Sequence, residues 1–339
     1  AVGTRARSAS FVVVVVALVG ALATAWPGRA GARPLGAAEP SVQRCPLTGL
    51  AAPASQVERP AVAVRVSNSP DALPQTGVAG ADVVVETLVE GGLTRLVAVF
   101  HCSPVAIAGP VRSARSDDAR TVAAYAGLLA FSGANEAVGW ELARSATRLV
   151  SEATVGDHVY RDPAGSLDVN SVRADLSGLR DLATTLGLKE PFPRFRFGDV
   201  QSPSSPASFV SLYFGDTLVE YRWHSGFWRR SQDREPFLDA QGRQVTARNV
   251  LVQEVDAFAS PALRDSIGTP SPVFDLVGPG RALLFRDGRV VIGTWSQPTP
   301  GDLVFRTQRG ALMSLARGRT WVEMVPSGIG DLKGTISYR

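Results

Sequence analysis

The chain has 339 residues, of which 45% are hydrophobic and 19% charged, and its formal net charge is +4. This composition excludes an intrinsically disordered protein, and the length is sufficient for two domains. Nearly all the positive charge is arginine, since Lys189 and Lys333 are the only lysines, and the arginines are scattered among acidic residues. A dense basic stripe is absent, so we expect no nucleic-acid partner.

The N-terminal residues 1–25 have the pattern of an export signal. Two arginines at positions 5 and 7 precede an apolar run over residues 11–22, which closes on Ala-Thr-Ala at 23–25, a small-x-small cleavage site. An uncleaved membrane anchor is the alternative interpretation, and it would keep the protein close to the membrane. Residues 26–44, rich in Pro, Gly and Ala, predict a flexible tether. Either interpretation predicts an exported, extracytoplasmic protein that is secreted or membrane-anchored.

Cys45 and Cys102 are the only cysteines. In an exported protein an even pair predicts a disulfide, with two separate buried thiols as the alternative. Closing a loop of this length would stabilise the fold by roughly 4 kcal/mol in the chain-entropy treatment. His101 adjoins Cys102, but a disulfide there would leave no thiolate for a metal ion. We therefore expect no metal site.

Residues 45–190 predict an N-terminal α+β domain. A β-branched run at 61–66 indicates a strand, and apolar runs at 83–85 and 96–100 around the turn Glu90-Gly91-Gly92 indicate a hairpin. The predicted helices cover about 116–130, 136–148 and 172–186. The first of these helices would be capped by Ser116, Asp117 and Asp118.

Polar and charged side chains follow the ends of these predicted strands. They are Asn68, Glu90, Arg95, Arg112, Ser113 and Arg115. Two guanidiniums beside a hydroxyl, directly ahead of a predicted helix N-terminus, are suited to binding a phosphate or carboxylate. The alternative is that Asp117 and Asp118 pair with the neighbouring arginines in a closed surface network.

The second half of the chain predicts a smaller, mainly antiparallel β domain. Residues 191–208 are rich in Pro and Ser and are interpreted as an inter-domain linker. Short alternating runs separated by turns then fill residues 209–330, and residues 331–339 are taken as a tail. The aromatic side chains between 221 and 228 would either stack on sugars or bases or form cross-strand pairs in the core. Aromatic residues alternate with polar ones along this segment, which favours the core.

Ordered motifs in both halves resemble the YerB-like family of bacterial exported lipoproteins, a family without an assigned biochemical function. The matching segments are 46–49, 59–64 with Asn68 downstream, 75–77, 81–86, 90–95, 109–115, 249–253, 278–282 and 293–295. The resemblance implies an α+β domain followed by a smaller β-rich domain, and no cofactor. The chain departs from the family in lacking a lipid-modified cysteine, in carrying Cys45 and Cys102, and in having Val169-Asn170 where the family has His-Asn.

Three functional hypotheses follow. The first is a non-catalytic envelope protein that binds an anionic ligand through Arg95, Arg112, Ser113 and Arg115, with Asn68 and Glu90 shaping the pocket. The second is a hydrolase or phosphotransferase acting on a cell-envelope polymer, with Glu90 as general base. The third is a scaffold for another envelope protein. The chain contains none of the nucleotide-loop, zinc-peptidase or nucleophile-elbow motifs, so the sequence assigns no catalytic residue and indicates no oligomeric state.

Overall fold

Apolar runs from both halves of the chain build one twelve-stranded sheet in the computed structural model, which describes residues 42–135, 138–139, 147–191 and 195–339. Residues Pro40–Arg339 form a single unit. The described residues are mostly β, with 46% in strands and 12% in helices.

The described residues of the first half include ten strands and three helices whose bounds are defined. They are β1 Val42–Arg44, β2 Ala51–Pro53, α1 Ala54–Val57, β3 Val62–Ser67, β4 Val83–Leu88, β5 Thr94–Phe100, β6 Ile107–Ala108, α2 Asp118–Val122, β7 Leu128–Phe131, β8 Arg148–Ser151, β9 Val159–Arg161, β10 Val172–Asp175 and α3 Leu176–Thr185. Short 3-10 turns lie at Pro70–Ala72, Val78–Gly80, Glu90–Gly92 and Val169–Ser171.

The second half contributes strands alone among the described residues. They are β11 Arg196–Phe197, β12 Ser205–Pro206, β13 Phe209–Tyr213, β14 Leu218–His224, β15 Phe227–Gln232, β16 Glu235–Pro236, β17 Thr246–Ala247, β18 Asn249–Arg264, β19 Pro270–Asp275, β20 Pro279–Arg286, β21 Arg289–Ser296, β22 Val304–Thr307, β23 Ser314–Leu315, β24 Thr320–Pro326 and β25 Thr335–Tyr338.

The twelve-stranded sheet runs β12-β21-β20-β18-β24-β4-β5-β3-β7-β8, with β19 on β18 and β22 on β21. Strand β24 pairs in parallel with both β18 and β4, so the C-terminal half continues the sheet of the N-terminal half. All six residues of β3 and of β4 are buried. Strands covered on both faces read as continuous apolar runs, which explains the valine-rich sequences seen here.

A second, six-stranded antiparallel sheet, β16-β15-β14-β13-β25 with β17 on β15, packs against the first. Buried aromatic side chains join the two sheets: the Tyr221 ring lies 6.5 Å from Trp321, and the Trp228 ring lies 5.9 Å from Phe285. Tyr221 and Trp228 therefore belong to the core. The smaller sheets are β6-β10-β9, β1-β2 and the parallel pair β11-β23.

Several predicted elements differ from those found. The predicted hairpin and the strand at 61–66 are present as β4-β5 and β3. The helix expected over 116–130 ends at Val122, because the buried run Leu128–Phe131 pairs with β3 instead. The helix expected from 172 begins at Leu176 after a strand, and the Asp175 side chain caps it by accepting a hydrogen bond from Ser177 N. Most of the helix predicted at 136–148 lies outside the described residues.

The segments interpreted as linker and tail both contain strands. Ser205 and Pro206 pair with β21, and Arg196 and Phe197 pair with β23. The tail interpretation of 331–339 is wrong in that Thr335–Tyr338 forms the edge strand β25 of the six-stranded sheet. Its short Thr-Ile-Ser-Tyr sequence alternates polar and apolar residues, and pairing with β13 is what makes it a strand.

Candidate functional site

A cleft of about 550 Å³, which we call the arginine cleft, opens beside the β4-β5 turn. Its charged lining consists of five arginines, Arg95, Arg112, Arg115, Arg161 and Arg264, and two acids, Glu90 and Asp265. The remaining lining includes Ser113 and the turn at residues 132–135. Five guanidiniums against two carboxylates make the lining strongly positive, and a cavity of this size holds a small ligand.

Backbone hydrogen bonds fix the segment that carries two of these arginines. Arg112 N donates to Arg65 O at 2.8 Å, Ser132 N donates to Arg112 O at 3.0 Å, and Ala114 N donates to Gly133 O at 3.0 Å. The segment therefore lies between the ends of β3 and β7. Arg112, Ser113 and Arg115 thus reach the cleft because their segment is held against neighbouring strands of the sheet.

Arg95 projects from the start of β5, where it lies opposite Ser67 of β3 and Thr87 of β4. Its Nη1 donates to the carbonyl and hydroxyl oxygens of Ser113, at 3.1 and 3.4 Å. Its Nε is buried and has no hydrogen-bond partner within the described part of the chain. Burial, and then the positive charge of Arg115, lower the pKa of Arg95 well below its usual range.

Arg112 is the second arginine without an acidic partner. Its Nε is also buried and unpartnered among the described residues, where its guanidinium forms no ion pair. A buried donor without a partner costs free energy. The Nε atoms of Arg65, Arg180, Arg230 and Arg248 are also unpartnered within the described chain, but these four arginines do not line the cleft. Arg95 and Arg112 thus present positive charge to the cleft without a close ion pair to a described carboxylate. Glu90 and Asp71 are the acidic groups whose charges interact with Arg95 and Arg112, respectively.

Arg115, by contrast, is neutralised by Glu90. Its Nε donates to Glu90 Oε1 at 2.8 Å and to Oε2 at 3.1 Å, while Ser271 Oγ donates to Oε1 at 2.5 Å. Burial of Glu90 acts to raise the pKa of its carboxyl, but the hydrogen bonds and charge of Arg115 outweigh it, so the pKa lies below its usual value. A carboxylate held in this way is a poor proton acceptor.

Five of the six predicted ligand-binding residues line the arginine cleft, and Asn68 does not. Asn68 Nδ2 instead donates to Glu86, Thr94 and Gln232, at 3.1, 2.7 and 2.9 Å. The expectation that Asn68 shapes the pocket is wrong, because β3 turns its exit residue into the space between the two sheets. There it satisfies buried polar groups rather than facing the cleft.

In the alternative interpretation, Asp117 and Asp118 pair with the guanidiniums of the neighbouring arginines. The structure shows other contacts for both aspartates. Asp118 Oδ1 pairs with buried Arg65 at 3.1 Å, and its other oxygen accepts from Arg115 N at 2.7 Å. Asp117 accepts from Phe274 N at 2.8 Å. The guanidinium of Arg115 pairs with Glu90 rather than with the aspartates that follow it.

Arg161, Arg264 and Ser271 were not foreseen as part of the site. Arg161 pairs with Glu152 at 3.1 Å, and Arg264, at the end of β18, donates to Gly268 O. Ser271 lies 181 residues from Glu90 in the chain. No local pattern marks these three residues, because only the tertiary fold brings them to the cleft.

A second charged cluster is buried between the two sheets. Arg230 Nη2 pairs with Glu86 at 2.8 Å, and Tyr221 OH donates to Glu323 at 2.5 Å. Burial, and then the neighbouring Glu86 charge, raise the pKa of Glu323 well above its usual value. The cluster joins the two sheets by a hydrogen-bonded network that is closed to solvent.

The predicted disulfide is present and joins Cys45 to Cys102, whose Cα atoms lie 6.1 Å apart. It connects the start of the folded region to the residues that follow β5. Among the described residues, no helix has the length and apolar character needed to cross a membrane.

Comparison with known proteins identifies relatives of the whole folded region. The N-terminal domain of a family described as proteins of unknown function (DUF3048) matches residues 47–186, and the C-terminal domain of the same family matches residues 210–322. A Bacillus subtilis protein named "Putative lipoprotein YerB" is 29% identical over 294 residues, which cover 84% of this chain and 86% of YerB. The crystal structure of YerB superposes with a TM-score of 0.72 at 28% identity, covering 87% of this chain and 99% of that one. The resemblance to the YerB-like family and the two-domain order are confirmed.

Proposed function

The chain belongs to the DUF3048 family of proteins of unknown function, and from this premise we propose that it is an exported cell-envelope protein that binds an anionic ligand in the arginine cleft. Export is supported by the signal-like pattern of residues 1–25 and by the name of the lipoprotein relative. The ligand would carry phosphate or carboxylate groups.

The observation that carries the proposal is the pair Arg95 and Arg112. Both have a buried Nε without a partner among the described residues, and neither forms an ion pair there. Desolvating a guanidinium without a counter-charge costs stability, and an anion between the two side chains would offset that cost. Ser113 Oγ lies 3.4 Å from Arg95 Nη1 and provides a further donor at the same place.

The geometry favours binding over the hydrolase or phosphotransferase alternative that uses Glu90 as base. Both oxygens of Glu90 accept hydrogen bonds from Arg115, and one also accepts from Ser271. This arrangement positions Arg115 at the cleft wall. Glu90 is thereby assigned the role of a positioning residue for the arginine.

The proposal is tested by isothermal titration calorimetry with three probes: pyrophosphate, a glycerol phosphate oligomer and a short polyglutamate peptide. The wild type should bind at least one of them, and binding should weaken as salt is added, since the cleft is open to solvent. Arg112→Ala should lower the affinity about 10- to 100-fold, the worth of one charge-assisted hydrogen bond.

Arg229→Ala is the matched control, because Arg229 is exposed on β15 outside the cleft. It should leave the affinity unchanged. Absence of heat with all three probes, or equal affinity of the wild type and Arg112→Ala, would refute anion binding at this cleft. Comparison of the titrations with the glycerol phosphate oligomer and with the polyglutamate peptide shows whether the anionic ligand is a phosphate-bearing polymer or an acidic protein segment.

A further inference from the structure

The disulfide forms one wall of a small buried cluster that contains a histidine. His101 Nδ1 lies 3.6 Å from the Sγ of Cys45 and 3.6 Å from the Sγ of Cys102. His101 and Cys45 are buried, and Cys102 is half-buried. The two sulfurs and a ring nitrogen lie within 4.8 Å of one another, the only such group of three metal-ligand atoms in the described part of the chain.

The other ring nitrogen fixes the tautomer of His101. Nε2 lies 3.0 Å from the backbone carbonyl oxygens of both Val57 and Arg59. Carbonyl oxygens only accept hydrogen bonds, so Nε2 carries the proton and Nδ1 directs a lone pair at the two sulfurs. Metal-binding histidines are oriented in this way, with the second nitrogen donating to a backbone carbonyl.

The nitrogen–sulfur distances are compatible with a metal-ligand set. With metal–sulfur bonds near 2.3 Å and metal–nitrogen bonds near 2.0 Å, tetrahedral or trigonal angles place the ligand nitrogen and sulfur about 3.5–3.7 Å apart. Both nitrogen–sulfur distances already have this value. Reduction breaks the bond between the two sulfurs and frees both as ligand atoms.

We infer that reduction of the Cys45–Cys102 disulfide creates a metal site in which the two thiolates and His101 Nδ1 bind a thiophilic ion, Cu⁺. A dithiol supplies two electrons and two protons, the sulfur–sulfur bond breaks to give two thiols, and the dithiol leaves as its own disulfide. Binding of Cu⁺ then displaces the two thiol protons to solvent.

Three features favour Cu⁺ over Zn²⁺. The described residues offer three ligand atoms, whereas structural zinc takes four. Thiolates select soft ions such as Cu⁺. The guanidiniums of Arg59 and Arg180 both donate to Ser103 O at 3.1 Å beside the cluster. Their two positive charges balance the buried Asp82 carboxylate, which accepts from His101 N, together with the single negative charge of Cu⁺ bound to two thiolates.

The test uses the full chain, reduced with dithiothreitol and freed of it by anaerobic desalting, and titrated with Cu⁺ in competition with bicinchoninate. Reduced wild type should bind one Cu⁺ per chain, and the oxidised protein should bind none. His101→Asn should bind at least tenfold more weakly. His224→Asn, which changes an exposed histidine on β14, should bind like the wild type.

X-ray absorption on the reduced wild type keeps the test decisive if His101→Asn fails to fold. Two sulfur neighbours and one nitrogen neighbour around copper would support the inference. It is overturned if the reduced wild type binds no Cu⁺, prefers Zn²⁺, shows sulfur neighbours alone, or loses its fold on reduction at 25 °C.

Discussion

At the scale of single residues, Arg95 and Arg112 lower the stability of the ligand-free protein, and in our account they do so in order to bind the ligand. Each keeps a buried nitrogen donor that no described residue satisfies, and burial disfavours the charged form of Arg95. Such groups persist at binding sites because the ligand supplies the missing partner. Substitution of these arginines should therefore change the stability of the ligand-free protein as well as its affinity for the anion, and both changes test the proposed site.

We expect Arg95→Met to stabilise the ligand-free protein by about 1 kcal/mol, because it removes a desolvated charge but keeps the apolar part of the side chain. The melting temperature should rise by about 2 °C, while pyrophosphate affinity falls at least tenfold. Differential scanning fluorimetry and calorimetry measure the two effects. Arg229→Met serves as the exposed control, and a loss of stability in Arg95→Met would show that Arg95 is structural.

Glu90→Gln should destabilise the protein by about 1–3 kcal/mol at pH 7, because it leaves Arg115 without its counter-charge. The folded-state pKa of Glu90 is lowered, so its stabilising contribution is present above the unfolded value near 4.3 and is lost as pH falls through the folded value. The difference between wild type and Glu90→Gln in urea unfolding should therefore shrink below pH 4. Exposed Glu235→Gln should show no such difference, and a gap that widens with acid would contradict the ion-pair account.

At the scale of elements, the disulfide ties the segment before β3 to the end of β5. The 57-residue separation of the cysteines corresponds to about 4 kcal/mol of lost unfolded-state entropy. Reduction should lower the melting temperature by several degrees. Oxidised protein should show no free thiol by alkylation and mass spectrometry, and two readily alkylated thiols would refute the bond.

The sequence predicted elements well where apolar patterning alone decides the structure. The β4-β5 hairpin and β3 are continuous buried runs, and both were foreseen. Residues 172–175 were wrongly assigned to a helix, because their strand depends on pairing with β9 and with β6, the second of which is distant in the chain. Short polar strands of this kind have no periodic signal of their own.

At the scale of the whole molecule, the site and the fold both cross the boundary between the two halves. Glu90 is held by Ser271, and β4 pairs with β24 from the C-terminal half. Sequence patterns located the arginines of residues 95–115, which are close in the chain. They could not locate Arg264 or Ser271, nor foresee that Asn68 turns away from the cleft, because these depend on the packing of the two halves.

The shared sheet predicts that the two family domains unfold together. Differential scanning calorimetry should give one transition with calorimetric and van't Hoff enthalpies that agree, because separating β24 from β4 would expose the buried valines of both halves. A fragment covering 45–190 alone should fail to fold. Two resolved transitions would show that the halves are energetically independent.

The central claim, that Arg95 and Arg112 hold an anion, is tested most directly by a crystal structure of the protein with pyrophosphate. The account predicts phosphate density within hydrogen-bonding distance of both guanidiniums and of Ser113 Oγ, with the Glu90–Arg115 pair unbroken. Density that lies elsewhere, or an empty cleft at saturating pyrophosphate, would contradict it.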